Sequence, residues 1–203
     1  MKQRSRRMLA GTALGLVALL GPAVAASAAA PPQPTYASAN VDGNPWEWNN
    51  FDTWGTLLSN DPPYRIVGKV LLRYDCKTQV LYAYAKVSPG EIMQTADPAE
   101  AYLRLGQTGK LVSGQSGDDG TAPDFRWVGE SNGTAKGFEA SAKVAPGSYP
   151  ASFRVHAKLP DDSADGYETI DLDPRYSDLT IECKQHTCGG GGSWNWGGFK
   201  PKY

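Results

Sequence analysis

The pattern of apolar and polar residues indicates strands most strongly in residues 69–87, KVLLRYDCKTQVLYAYAKV. Two aromatic-rich runs with a period of two, separated by turn residues at 75–78, predict a β-hairpin. The first arm is expected to have two faces, formed by Val70, Leu72 and Tyr74 and by Leu71 and Arg73. Both faces of the second arm are largely apolar, so we expect that strand to be covered on both sides.

Strand-like runs continue along the chain, at residues 101–105, 125–128, 137–144, 152–159 and 179–182. In residues 137–144 the alternation places Phe138, Ala140, Ala142 and Val144 on one face, and Glu139, Ser141 and Lys143 on the other, which predicts a half-buried antiparallel strand. Apart from a short turn near residues 98–102, no segment of the body predicts a helix. The pattern therefore predicts an all-β fold: an antiparallel β-sandwich, jelly-roll or immunoglobulin-like, of about seven to nine strands.

The first 30 residues predict a secretory signal peptide, because a basic start precedes a short apolar run and Ala-x-Ala cleavage patterns. The Arg6–Arg7 pair faintly resembles a twin-arginine signal, but the ordinary export route fits better. Residues 31–39 form a Pro- and Ala-rich leader that is expected to be disordered, because it has nothing to pack. The β-sandwich domain is placed at residues 40–184, and residues 185–203 form a Gly- and Trp-rich flexible tail. These features predict a secreted, extracellular protein without a membrane span.

Net charge narrows the choice of partners. The full chain carries a net charge of −1, and four basic residues but no acidic ones lie in the first 30 residues. Removing that segment leaves 16 basic and 21 acidic residues, a net charge of −5. A mildly acidic surface argues against nucleic acid or an anionic membrane as the partner.

The three cysteines predict one disulfide in an oxidising compartment. Cys76 and Cys183 lie at the ends of strong strands, which favours their pairing; the alternative is a local loop between Cys183 and Cys188. Either pairing leaves one thiol spare. In the favoured pairing Cys188 is free for disulfide-linked association.

The tail alternates Trp194 and Trp196 in a glycine-rich sequence, so the two rings would share one face of an extended chain. It is either a flexible tail or a sticky peptide that docks on the domain or on a partner. Tail-mediated association would make the protein a structural or protein-interaction domain.

The residues needed for catalysis are sparse. His156 and His186 are the only histidines, and no nucleophile elbow, phosphate-binding loop or zinc-protease motif occurs in the sequence. The acidic pair Asp118–Asp119 lies in a hydrophilic loop, without the buried setting that separates the pKa values of a catalytic pair. The sequence therefore predicts that the protein is not an enzyme.

A calcium ion is a candidate ligand of the loop DDSADG, which places oxygen atoms of Asp161, Ser163 and Asp165 at alternate positions before a glycine. Leu172 occupies the position where a bidentate carboxylate is expected, so Asp171 or Asp173 would have to complete the site. The alternative is a solvated acidic hairpin loop. The group Cys183, His186 and Cys188 fits a disulfide with an incidental histidine better than a zinc site.

The most distinctive segment is residues 41–54, VDGNPWEWNNFDTW. Together with VLLRYDC, GFEASAKVAPGSYPASFRVHAK and LTIEC, its opening VDGNPWEWN resembles a group of secreted bacterial β-sandwich domains, which are distantly similar to family 9 carbohydrate-binding modules and DOMON-like domains. The family 9 resemblance implies sugar binding between aromatic rings and a structural calcium ion. Trp46 and Trp48 match its opening motif and would lie on the same side of an extended chain.

We therefore predict a secreted, non-enzymatic binding module for a carbohydrate or another cell-envelope component. The predicted ligand-binding residues are Trp46, Trp48, Trp194 and Trp196. An exposed Trp ring suits a sugar, because the apolar C–H face of the sugar stacks on it. The alternative for Trp46, Trp48, Trp54 and Trp127 is a role in the core.

Overall fold

The computed structural model describes residues 33–59, 64–106, 109–158 and 168–183, with side chains described outside 152–158 and 168–169. Within these ranges the chain forms twelve strands: β1 Thr53–Ser59, β2 Ile66–Asp75, β3 Val80–Val87, β4 Ile92–Gln94, β5 Tyr102–Leu105, β6 Val112–Ser113, β7 Asp124–Val128, β8 Thr134–Ala135, β9 Gly137–Lys143, β10 Gly147–Lys158, β11 Glu168–Leu172 and β12 Asp178–Ile181. The helices of the described part are short 3-10 turns at Pro45–Glu47, Asn50–Asp52, Pro98–Glu100 and Pro174–Tyr176.

All strand pairings recorded in the described ranges are antiparallel, in the order β6-β5-β10-β11-β1-β2-β3-β9-β7. Strand β10 branches: residues 147–150 pair with β12, residues 151–154 with β5, and residues 154–157 with β11. A strand that changes partners along its length lets a sheet fold back over its own core. The all-β, antiparallel fold is as predicted, and nine of the described strands have four residues or more.

The predicted hairpin is confirmed as β2 and β3, which lie near the middle of the sheet and pair over eight residues. Val70, Leu72 and Tyr74 of β2 face the main core, whereas Leu71 belongs to a second cluster on the opposite face. Strand β3 is buried on both faces, as its sequence predicts. The main core, on what we call the inner face, also contains Phe138, Ala140 and Ala142 of β9.

The prediction that residues 137–144 form a half-buried strand is wrong, because β9 is buried on both faces as far as Ala142. Glu139 and Ser141 lie on the outer face of β9, opposite the main core, yet Glu139 is fully buried and Ser141 is 4% exposed. The outer face of β2, β3 and β9 is covered by residues 39–52, which we call the outer strap. Its Ala39 and Trp48 pack with Leu71, Tyr84 and Val128 in the second hydrophobic cluster.

The leader also departs from expectation, because it packs from its first described residues. Strand β1 pairs with β2 only as far as Leu71, so the next backbone groups of β2 lack a neighbour on that side. Thr35 takes the place of that neighbour. Its N–H donates to the Leu72 carbonyl oxygen, and the Tyr74 N–H donates to the Thr35 carbonyl oxygen. Pairing buried backbone groups gives this segment a fixed place on the sheet that its composition does not predict.

Candidate functional site

The backbone of the outer strap is held by two capped 3-10 turns. The Asn44 side chain accepts a hydrogen bond from the Trp46 N–H at 3.3 Å, and Pro45 occupies the first helical position. In the second turn the Asn49 side chain accepts from the Phe51 N–H at 2.8 Å, while Asp52 accepts from the Asn49 N–H at 3.0 Å. Such reciprocal caps satisfy the free N–H groups of a helix start and fix its direction.

Glu139 anchors the first half of the strap from below. One carboxylate oxygen accepts the indole N–H of Trp48 at 2.8 Å, and the other accepts the backbone N–H groups of Gly43 at 2.8 Å and Asp42 at 3.2 Å. Burial raises the pKa of Glu139 above its ordinary value, against the opposing effect of these three donors. The carboxylate therefore holds the strap at the cost of its own desolvation.

Only glycine fits at position 43. Its φ is +77°, and a Cβ atom there would lie 2.9 Å from the backbone oxygen of Trp127. The left-handed turn brings two successive N–H groups onto Glu139, which explains the Asp-Gly pair at the start of the motif.

Arg73 of β2 anchors the second half. Its Nε and Nη2 donate to Oδ2 of Asp52 at 3.0 and 2.8 Å, its Nη1 donates to the carbonyl oxygen of Ser38 at 3.2 Å, and its Nη2 also donates to the carbonyl oxygen of Glu47. Its guanidinium lies 5.2 Å from the ring centroid of Trp48. Burial alone would raise the pKa of Asp52, but the hydrogen bonds from Arg73 and the Asn49 N–H outweigh it and hold the pKa below its ordinary value.

The strap turns its aromatic residues in opposite directions. Trp48 is 9% exposed and stacks obliquely on Tyr84, whereas Trp46 is 89% exposed and Phe51 is 93% exposed. The expectation that Trp46 and Trp48 share a face is wrong, because residues 45–47 form a 3-10 turn, in which alternate residues point apart. Trp54 is buried in the main core and Trp127 packs partly buried against it.

The remaining predicted ligands fall outside the described residues: Trp194 and Trp196 of the tail, and Asp161, Ser163 and Asp165 of the acidic loop. Asp173 was a candidate to complete the calcium site of that loop. In the structure it instead caps the turn Pro174–Tyr176 and pairs with Arg175. The described part of the chain contains no group of three or more acidic, histidine or cysteine residues placed to hold a metal ion.

The predicted disulfide joins Cys76 to Cys183, with an S–S distance of 2.11 Å and the two Cα atoms 5.7 Å apart. This pairing excludes the local alternative with Cys188 and indicates an oxidising, extracellular environment. Within the described ranges, no helix is both long and apolar enough to cross a bilayer.

Sequence reasoning missed the two anchors, Arg73 and Glu139, and the exposed ring of Phe51. A signal for the anchors was present: β3 is apolar on both faces, so some segment had to cover its outer face, and a charged residue beneath that cover needs partners.

Comparison of the chain with models of known protein families, with curated proteins and with solved structures found no match.

Proposed function

We propose that this protein is a secreted, non-enzymatic binding module whose ligand is a carbohydrate or another cell-envelope component, bound on the rings of Trp46 and Phe51. The observation that carries the proposal is that these two large apolar side chains are almost fully exposed on a backbone that is tightly anchored. Exposed apolar patches mark interaction sites, and these two rings lie five residues apart on one strap.

Rigidity supports binding because an ordered backbone loses little conformational entropy when a ligand arrives. The anchors Arg73 and Glu139 fix the strap before any ligand is present. Aromatic side chains add large contact area with few rotatable bonds, as they do in antibody combining sites.

The neighbours of the two rings favour a polar, hydroxyl-bearing ligand. Asn49 and Asn50, between them, are exposed and offer amide donors and acceptors. A sugar places its C–H face on an aromatic ring and its hydroxyl groups towards such amides, so it matches both features.

A non-enzymatic role fits the state of the two buried acids that hold the strap. Asp52 is paired with Arg73, and both oxygens of Glu139 accept hydrogen bonds from the strap. Carboxylates that hold the backbone in this way are not available for proton transfer to a ligand.

The test is retention of the oxidised protein on insoluble cellulose, chitin and bacterial cell-wall preparations. We expect Trp46→Ala and Phe51→Ala each to weaken retention about tenfold, which corresponds to about 1.4 kcal/mol, with no loss of stability because neither ring packs in the core. The matched control is Tyr64→Ala, which removes an aromatic ring that is 69% exposed outside the strap. No retention on any polymer, or equal retention of the double variant, would overturn the proposal.

A further inference from the structure

A second feature of the outer face is a solvent-open pocket of about 550 Å³ between the beginning of the strap and strands β3, β7 and β9. Residues 39–42 and 120–122 form two of its walls. Side chains that contribute to its lining come from Tyr82 of β3, Asp124 of β7, and Ser141 and Lys143 of β9. The pocket and Trp46 belong to the same strap, since residues 39–42 line the pocket.

Asp124 is the unusual group in this pocket. It is 1% exposed; its Oδ1 accepts the Phe125 N–H at 3.1 Å, and the backbone N–H of Gly120 also acts on the carboxyl and lowers its pKa, but no described residue places a donor in hydrogen-bonding geometry with its buried Oδ2. A buried polar atom without a partner costs about 1–3 kcal/mol, and more when it is charged. A ligand that supplies a donor or a positive charge would remove this cost.

The charges around Asp124 favour a cation. Burial raises the pKa of Asp124, and the nearby acids Asp118 and Asp119 raise it further, although Asp118 is itself paired with Arg126 at 3.1 Å. Asp42 adds a third acid at the pocket wall, whereas Lys143 is the basic side chain that lines the pocket in the described part of the chain, and it is exposed. A positive group placed here meets a carboxylate and, at Tyr82, an aromatic ring that can attract it.

We propose that this pocket binds the primary ammonium group of an amino sugar, with Asp124 as its ion-pair partner. An ammonium group donates three hydrogen bonds and needs no cluster of ligands, which fits a described region without a metal-binding group. The remaining polar groups, such as Ser141, are available to the sugar hydroxyls. This inference rests on the proposed function, because it assigns the ligand class of the same strap.

The test compares glucosamine oligomers with N-acetylglucosamine oligomers of the same length by calorimetry, using the full oxidised chain at pH 6. Acetylation removes the positive charge and leaves the sugar ring, so we expect the glucosamine oligomer to bind at least tenfold more tightly. Asp124→Asn keeps the acceptor for the Phe125 N–H and should abolish the preference. The matched control is Asp178→Asn, which removes an exposed acid on β12 and should leave the preference intact.

Wild-type protein provides a second measurement that does not depend on the folding of the variant. Asp124 must be ionised to pair with the ammonium group, so the affinity for the glucosamine oligomer should rise with pH above the ordinary value of 3.8 as Asp124 ionises. The affinity should fall again at the pH where the amino groups of the oligomer lose their protons. The acetylated oligomer should show no such rise.

Equal affinity for the two oligomers, or a preference that survives Asp124→Asn, would overturn the inference. Tighter binding of a lysine peptide than of the glucosamine oligomer would overturn the assignment to a sugar. If glycan retention still depends on Trp46 while the two oligomers bind equally, this inference fails and the proposed function stands. If no polymer is retained, the proposed function fails as well.

Discussion

Replacing Arg73 with Met removes the positive charge beneath the outer strap while keeping an unbranched side chain of similar length. The side chain of Arg73 is 11% exposed and that of its partner Asp52 is fully buried. Arg73 also donates to the carbonyl oxygens of Ser38 and Glu47. The substitution therefore tests whether the ion pair, rather than side-chain volume, holds the strap.

The expected loss of stability follows from the number of hydrogen bonds that Asp52 still accepts in the variant. Of the three hydrogen bonds that its Oδ2 accepts, two come from Arg73 and one from the Asn49 N–H, so the variant leaves a buried carboxylate with one donor. Removing one partner of a buried ion pair costs about 3–5 kcal/mol. The contact between Arg73 and the Trp48 ring adds about 0.5–1 kcal/mol. We therefore expect Arg73→Met to lower the free energy of unfolding by about 3.5–6 kcal/mol, a large part of the 5–15 kcal/mol typical of a domain.

Urea unfolding of the oxidised protein at pH 7, followed by circular dichroism, measures this loss. The matched control is Arg126→Met. Arg126 forms an ion pair with Asp118 at 3.1 Å, but both side chains are about half exposed, so we expect a loss below about 1 kcal/mol. A loss below 1 kcal/mol in Arg73→Met would refute the reasoning, because it would mean that the buried pair adds nothing that water cannot replace.

The pH dependence has a defined sign. In the wild type the pKa of Asp52 lies below its ordinary value of 3.8, so its stabilising effect is complete above that pH and is lost only as the pH falls through the folded-state pKa. Without Arg73, burial dominates and raises the pKa of Asp52. The variant should then gain stability between pH 7 and about pH 4 while the Asp52 contribution in the wild type stays constant. The difference between the two proteins should narrow on acidification, and a widening difference would contradict the assignment of Asp52.

Three further tests probe the fold. Replacing both Cys76 and Cys183 with Ala should lower the free energy of unfolding by about 4–5 kcal/mol, because the disulfide closes a loop over a sequence separation of 107 residues. A loss below about 2 kcal/mol, measured by urea unfolding, would contradict this chain-entropy estimate. Gly137→Ala places a Cβ atom 2.5 Å from a backbone oxygen of the neighbouring strand and should cost at least about 1–3 kcal/mol, whereas Gly117→Ala meets no atom within 4 Å and should be near neutral. Tyr74→Phe removes a buried hydroxyl that donates to a backbone carbonyl at 2.6 Å, and the melting temperature should fall by an amount equivalent to about 1 kcal/mol.

The central hairpin was predictable because residues 70–87 follow one rule. From Val70 to Tyr74 each face of β2 receives the residues that the period of two assigns to it, and β3 is apolar on both sides because both sides are covered. The disulfide was predictable for a related reason. Strands fix the positions of their ends, so cysteines at the ends of strong strands are good candidates to meet.

The strap was not predictable from local patterns. Glu139 follows the alternation that normally marks a solvent-facing residue, and only a segment almost a hundred positions earlier in the chain makes it buried. The orientation of Trp46 and Trp48 depends on a 3-10 turn, and such short turns arise from caps such as Asn44 rather than from hydrophobic periodicity. The burial of Glu139 depends on cover by a distant segment, and the orientation of the two tryptophans depends on local capping. A period of two in the sequence carries information about neither.

The polar anchors explain how one strap buries Trp48 and exposes Trp46. Apolar packing has no preferred direction, so a purely hydrophobic strap could shift and exchange one tryptophan for the other at little cost. The buried pair of Arg73 and Asp52, and the three hydrogen bonds to Glu139, allow one register only, because any shift leaves buried charges without partners. A buried ion pair is a weak means of adding stability, and for this fold we infer that its effect is to exclude shifted arrangements of the strap. The anchors thereby keep two large rings in water, where a ligand can reach them.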